Sequence, residues 1–563
     1  MRDGQQTSVS VPQEHRVQDE RKWAIAWLRV KVHADALATD PRTYLRAAWW
    51  WVLGKRLRAR IVLSPLLGRS RSAYRLWLAL GRDKLAGNQS VDEHSVSIIA
   101  LVEDGEGRDR TLQSLASEGI AAELVSSKLP ERLGEIFAHD DTWALPMFSG
   151  DLLASGAGAV YRQSASAVSG ATRLIFADDD ILDENGHRSE PHLKPDWNSE
   201  LFQHFDFLTG AAIVRLNAAT FAELAERNWA SNLIAHAVRD CESKGAEIVH
   251  VRNILHHRVS RPDPRTVPPP NFSDKEPVEL PSVSIIIPTR NGLKFLRKCL
   301  GGLERTTYPT PLEIIVIDNG SDDPETLQFL ADIRPDFARV LRDDGPFNFA
   351  ALNNRAVAEA TGDMLCFLNN DIEILDTDWL MTLAKQALRD DVGAVGACLL
   401  YPDGRIQHAG VVMGIGGGAA HAHRLLAPGE RGYFGRHSLP QYVTAVTAAC
   451  LVVEKEKFLA VGGFDADNFA VSFNDVDLCL KLNRRGWQSM YEPRAILVHH
   501  ESVSRGLDRD AAGAARLGRE LEALQNRWNE AVCHSSETAG EQAVDPFHHP
   551  LLSAYSEQFV LRL

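Results

Sequence analysis

Long apolar runs are what this 563-residue chain most plainly lacks. No stretch approaches the roughly eighteen apolar residues of a membrane span, and no basic-then-apolar signal opens the chain, so it is expected to stay in the cytoplasm. Cysteine is scarce too: there are seven, an odd number, with no C-x-x-C pair. That argues against a disulfide or zinc framework and predicts reduced thiols packed as small hydrophobes. A single core is excluded by length, because cores stop growing near about 250–300 residues, and two to four domains are expected.

Acidic residues are locally missing. Residues 21 to 84 hold fifteen Lys/Arg against three Asp/Glu, a charge of +12, within a chain whose net charge is -14; the remainder therefore carries -26. An acidic body argues against nucleic acid as a partner, whereas the basic segment suits an anionic membrane surface or an acidic protein. The same segment holds six of the twelve tryptophans. Trp23, Trp27, Val30, Ala34 and Leu37 recur at helical spacing, followed by Trp49, Trp50, Trp51 and Trp77. Two readings stand: an interfacial helix with indoles at headgroup depth, or a helical collar whose Trp stripe packs on the next domain.

Landmarks then recur in order. Val96-Ser97-Ile98-Ile99 returns as Val283-Ser284-Ile285-Ile286 at an offset of 187, and Phe176 to Ile181 returns as Phe367 to Ile372 at 191. Thr209 to Val214 returns as Thr447 to Val452 at 238, and His256-His257 as His499-His500 at 243. Four landmarks in one order predict two copies of one α/β fold joined by a proline-rich linker. The expected boundaries are a basic helical extension at 1–90, a first domain at 91–265, a linker at 266–281, a second domain at 282–508, and a C-terminal helix and tail at 509–563. The offsets imply 47 additional residues in the second copy between Asp371 and Thr447. Counting back 24 residues from His256 gives Asn232, where the second copy has Asp475. An amide cannot serve as a base, so the first copy is expected to be silent.

In the second copy two apolar strands end in polar residues, Pro288-Thr289-Arg290-Asn291-Gly292 and Asp318-Asn319-Gly320-Ser321-Asp322-Asp323. The carboxyl ends of neighbouring parallel strands are where open α/β sheets bind ligands. Downstream lie Asn369-Asn370-Asp371, Gln407-His408-Ala409-Gly410, Phe473-Asn474-Asp475-Val476-Asp477-Leu478-Cys479-Leu480 and His499-His500-Glu501-Ser502-Val503-Ser504-Arg505-Gly506. Carboxylates at the head of a helix and a histidine pair 24 residues on suggest a base beside a metal; a helix-capping role for Asn474 or Asp475 is the plainer alternative.

This series closely resembles the inverting family-2 glycosyltransferases of the GT-A fold, in particular the rhamnosyltransferase-like branch of bacterial surface-polysaccharide synthesis. The tail Asp545-Pro546-Phe547-His548-His549-Pro550 is similar to that branch's, and Lys194-Pro195-Asp196-Trp197 resembles the extra N-terminal domain of its two-domain members. The resemblance implies two tandem GT-A-like (nucleotide-diphospho-sugar transferase) domains, the first degenerate. It implies a donor nucleotide held by Pro288, Thr289, Asn291, Asp318, Asn353 and Asn369. A divalent metal, Mn²⁺ or Mg²⁺, would sit on Asp371 with His499 or His500; the first carboxylate of the usual D-x-D element is here the amide of Asn369. Arg505 would meet the diphosphate, Asp475 would be the base, and Gln407, His408 and Thr447 would lie in the acceptor region. The implied partners are a nucleotide-sugar donor and a glycan or polyprenyl-linked acceptor, with rhamnose one candidate sugar and the inner face of the plasma membrane one location. The rival reading is a saccharide-binding scaffold without catalysis.

Overall fold

The computed structural model describes residues 13–85, 96–125, 142–215, 228–265, 267, 279–501, 511–528 and 545–563, with side chains from residue 21 onward. Strand-forming runs of Val, Ile and Leu in the second half alternate between two buried faces. Ile286, Ile315, Ile317, Leu365 and Phe367 pack beneath the helices Phe349–Glu359 and Asn474–Arg484. Their neighbours Ile285, Ile287, Ile314, Val316 and Cys366 pack beneath Leu293–Leu303 and Trp379–Ala387. A sheet covered on both faces needs apolar residues at both parities, which is why these strands read as unbroken apolar runs.

Across this sheet the strands run Arg339–Arg342, Leu312–Asp318, Val283–Thr289, Met364–Leu368, Cys450–Glu454, Val392–Leu400, Gln488–His499 and Ile372–Ile374. The first four are mutually parallel, Cys450–Glu454 is antiparallel to both its neighbours, and Val392–Leu400 runs parallel to Gln488–His499. The first half builds a second sheet in the order Ala121–Leu124, Ser97–Val102, Thr142–Met147, Ala212–Arg215, Leu174–Leu182, Val249–Arg258 and Leu152–Leu153. Among the described residues its sequence of parallel and antiparallel pairings is the same as that of the larger sheet from Leu312–Asp318 onward.

That shared order corrects one landmark. The strand Leu174–Leu182 occupies the place of Val392–Leu400; the counterpart of Met364–Leu368 is Thr142–Met147. Matching the Phe176 stretch to Phe367 rested on a buried strand followed by acids, a pattern that two different strands satisfy. The structural counterpart of Asp371 is Asp151, each lying directly before a short strand that pairs with the histidine strand, Ile372 opposite His499 and Leu152 opposite His257. The offset is then 220 at Asp371 and 238 at Thr447, so the surplus is 18 residues, not 47. The helices Asn474–Arg484 and Trp229–Ser243 both start after a left-handed residue, Phe473 (φ 61°) and Asn228 (φ 64°). Asp475 therefore matches Ala230, and Asn232 lies level with Asp477; neither position in the first half of the chain is a carboxylate.

Helices Gln13–Thr39, Pro41–Val52, Arg56–Gly68 and Ala73–Ala79 precede the first sheet. The tail from Asp545 binds the elements together. Its Oδ2 accepts from Met413 N–H (2.8 Å) and Thr444 Oγ1 (2.6 Å), and the Pro546 carbonyl accepts from Asp196 N–H (2.8 Å). All six described cysteines are free and buried.

Candidate active site

At the carboxyl ends of Val283–Thr289 and Met364–Leu368 a cavity of about 680 Å³ opens, its far wall formed by the start of Asn474–Arg484 and the ribbon Val411–Met413/Ala419–His421. It brings together Pro288, Thr289, Asn369, Asp371, Thr447, Asp475 and His499. These residues are spread over more than two hundred positions; the parallel strands bring them to one end of the sheet.

Asp475 is held by its own backbone surroundings. Oδ2 accepts from Ala448 N–H (3.1 Å) and Oδ1 from Val476 N–H (2.9 Å). Burial pushes its carboxyl above the usual value, against those N–H groups and the Thr447 hydroxyl, which pull it down. A carboxylate raised in this way is a stronger base than an exposed one. Asp477 is different: it is fully buried and bonded to Arg527 Nη1 (2.8 Å) and Trp528 Nε1 (3.0 Å), a structural role joining the C-terminal helix to the site helix. The left-handed Phe473 that sets this helix also lines the cavity; such a conformation costs about 1–3 kcal/mol for a non-glycine residue.

Asp371 and His499 form the second centre. Asp371 Oδ1 lies 3.1 Å from His499 Nε2. Which ring nitrogen carries the proton follows from a chain of partners. The Glu501 carboxylate can only accept, so Gln407 turns its amide N–H₂ to Glu501 (3.0 Å) and its Oε1 to His499 Nδ1 (2.7 Å). His499 then donates from Nδ1, and its Nε2 lone pair faces Asp371 and the Asn369 amide, 3.3 Å away. Burial raises Glu501, but Gln407 and Arg424 outweigh it and keep this anchor ionised. A carboxylate oxygen and an imidazole lone pair facing each other fit a divalent cation, and a histidine whose other nitrogen donates to an oriented carbonyl is the usual support for such a ligand.

Other expected site residues lie elsewhere. His500 turns from the cavity to Glu373 (3.1 Å), itself paired with Lys298 (2.5 Å), because successive strand residues point to opposite faces. Gln407 is behind His499 and does not line the cavity. His408 is also buried behind the wall; its Nδ1 meets Nδ1 of His421, which does line the cavity, at 2.7 Å. Asn291 staples two strand-end loops, donating from its backbone to Ser321 Oγ (2.8 Å) and accepting from Asp322 and Asp323 N–H (3.1 Å each). Asp318 is tied to Ser321 N–H (2.9 Å) and to Arg342. Asn353 is fully buried, bonded to the Phe349 carbonyl (2.8 Å). Arg505 lies outside the described residues. Asn370, which donates to Thr289 Oγ1 (2.8 Å), and the cavity residues Asn319, His421, Phe473 and Glu501 were not singled out from the sequence as site residues. Asn319 and Glu501 were legible as neighbours of quoted motif residues; His421 carried no such signal.

Among the described residues, one further group brings three donor atoms within 4.8 Å: Asp178, His250 and His549. Their partners account for them as an ion-pair cluster. His250 bonds Asp178 Oδ1 (3.1 Å) and Asp196 Oδ1 (3.0 Å), and although burial lowers its pKa, these carboxylates raise it above the usual value. His549 Nδ1 accepts from Leu551 N–H (3.1 Å), which puts its proton on Nε2, 3.0 Å from Asp178 Oδ2. With protons on these nitrogens no lone pair remains for a metal, and the cluster fastens the tail to the first sheet.

Residues 284–421 match the family described as Glycosyl transferase family 2. The chain is 37% identical over 432 residues to "Uncharacterized protein y4gI" of Sinorhizobium fredii, covering 69% of this chain and 46% of that one. It is 34% identical over 371 residues to "O-antigen biosynthesis protein RfbC" of Myxococcus xanthus, covering 60% and 29%. It is 27% identical over 243 residues to "N-acetylglucosaminyl-diphospho-decaprenol L-rhamnosyltransferase" of Mycobacterium tuberculosis, covering 38% and 74%. The chain spans less than half the length of the first two relatives. The cavity, with Asp371 and Asp475 in its walls, is thus built on and around the matched segment, and the chain carries a domain of the family-2 glycosyltransferases.

Proposed function

We propose that this chain transfers a sugar from a nucleotide-diphosphate donor to a growing surface glycan, with inversion at the transferred carbon. The observation that carries the reading is one cavity holding a raised carboxylate, Asp475, and the Asp371–His499 pair. Asp475 takes the proton of the acceptor hydroxyl as its oxygen attacks the sugar carbon from the face opposite the diphosphate. Asp371 and His499 would hold a divalent cation, Mn²⁺ or Mg²⁺, which when bound neutralises charge developing on the leaving diphosphate. Pro288, Thr289, Thr447 and His421 all line the cavity; on this reading the first two would meet the donor and the last two the acceptor. Arg505 is kept as a further diphosphate partner on the resemblance alone.

The fold reading is two tandem GT-A-like domains with a silent first copy. Its support is the shared strand order, Ala230 in the place of Asp475, and the environment of Asp151. Arg258 Nε lies 3.8 Å from the buried Asp151 Oδ2, so an internal guanidinium already stands beside the carboxylate that matches Asp371. The name of the mycobacterial relative favours rhamnose and a polyprenyl-diphosphate acceptor, and such an acceptor would bring the reaction to the cytoplasmic face of a membrane. Donor hydrolysis with a panel of nucleotide sugars, in the presence of Mn²⁺, tests the reading. A single preferred donor, with turnover abolished by Asp371→Asn, is expected; no hydrolysis or transfer with any donor would favour the scaffold reading.

A further inference from the structure

Helix Gln13–Thr39 carries two apolar stripes, and the inner one packs the helix. Leu28, Val32 and Ala36 are buried, the first two against Leu76. The stripe legible from the sequence lies outside: Trp23 is 76% exposed, Trp27 58%, and Val30 and Leu37 are exposed as well. The next two helices repeat the arrangement. Ala47, Ala59 and Leu66 face inward, while Leu45, Trp49, Trp51, Val52, Leu57 and Ile61 are exposed. A collar packing its tryptophans on the next domain would hide them, and of the six tryptophans in residues 21–84 only Trp77 is fully buried. Large exposed apolar surfaces of this kind mark an interaction site.

The charge around the patch selects the occupant. Residues 21 to 62 hold ten Lys/Arg against two acids, Asp35 and Asp40, which accept from Ser70 Oγ and Thr43 N–H. Cations lie over the indoles: Lys31 over the exposed Trp27 at 5.2 Å, Arg46 over the half-buried Trp50 at 5.4 Å and Arg60 over the exposed Trp51 at 6.0 Å. A protein partner is usually met with charges of both signs, whereas one sign of charge mixed with tryptophan matches the headgroup layer of an anionic bilayer. No helix among the described residues is long and apolar enough to cross a membrane. We propose that the exposed face of residues 21–62 docks on the surface of an anionic phospholipid bilayer, indoles at headgroup depth and Lys/Arg against phosphate. This inference stands on the patch itself and does not require the glycosyltransferase reading.

The test is co-sedimentation of the full chain with phosphatidylcholine vesicles, with and without phosphatidylglycerol, at low and high salt. The expected result is pelleting that needs phosphatidylglycerol, is released by salt, and shifts tryptophan emission to the blue. Each engaged cation contributes roughly a fivefold factor in partitioning. Replacing Trp23, Trp27, Trp49 and Trp51 together by Ser should abolish pelleting, while donor hydrolysis and the melting temperature stay those of the parent. Absence of phosphatidylglycerol-dependent pelleting overturns the proposal, as does unchanged pelleting of the four-Trp variant. So does a self-associating chain that the variant renders monomeric and that ignores vesicles.

Discussion

Asp475→Asn separates catalysis from folding because the structure predicts opposite-sized effects on the two. Loss of a positioned base lowers turnover by about 10²–10⁴, which corresponds to roughly 3–5 kcal/mol of transition-state stabilisation. The effect on stability is a difference of two smaller terms. Asp475 accepts from Ala448 and Val476 N–H with different oxygens, and an amide has only one acceptor, so one N–H loses its partner at about 1–3 kcal/mol. Against this, burial holds the carboxyl above its ordinary value, so its stabilising contribution is full below about pH 3.8 and is lost as pH rises from there through the folded pKa. At working pH the charge is kept at a cost that Asn removes. The melting temperature should therefore move by less than about 4 °C while turnover collapses. Donor binding, measured by calorimetry with the nucleotide diphosphate and Mn²⁺, should survive, and the acid limb of the pH–rate profile should vanish with the base. Turnover within about threefold of the parent, with the acid limb intact, would remove Asp475 from the mechanism, since a base is worth more than that.

Gln407→Leu leaves His499 without its oriented acceptor, and Mn²⁺ affinity in the presence of nucleotide diphosphate should fall about 10–100-fold; unchanged affinity would dissolve the Glu501–Gln407–His499 chain as a support. His500→Ala, by contrast, should leave Mn²⁺ affinity and turnover within about twofold, because this side chain serves Glu373 on the other face; a large loss of Mn²⁺ affinity would return His500 to the ligand set. Burial lowers His421 to about 4 and His548 to about 3, so both are folded in neutral form. Their unfolded forms take up protons below about 6.5, and stability should decline from there as pH falls towards 4; thermal melts showing no decline across that window would contradict their burial.

The sequence by itself determined the elements and the chemistry they carry. Apolar runs ending in Thr289 and Asp318 announced parallel strands with polar carboxyl ends, and Asp371, Asp475 and His499 stood out because their neighbours are patterned. What it could not determine was direction. His499 and His500 are adjacent, yet strand alternation sends one into the cavity and the other to Glu373, and only the pairing of Ile372 opposite His499 decides which. Gln407 and His408 sit in the right segment, but the fold puts them behind the wall, where one orients His499 and the other meets His421. The Phe176 and Phe367 stretches are alike in sequence and unlike in place, since two strands can share an apolar run and a trailing acid while hydrogen-bonding to different neighbours. The Trp stripe was legible as helical spacing, but its exposure was not, because that helix has a second apolar stripe and only packing against Leu76 chooses between them. Residue types and spacing follow from local chemistry; which face is buried follows from the partner each element finds.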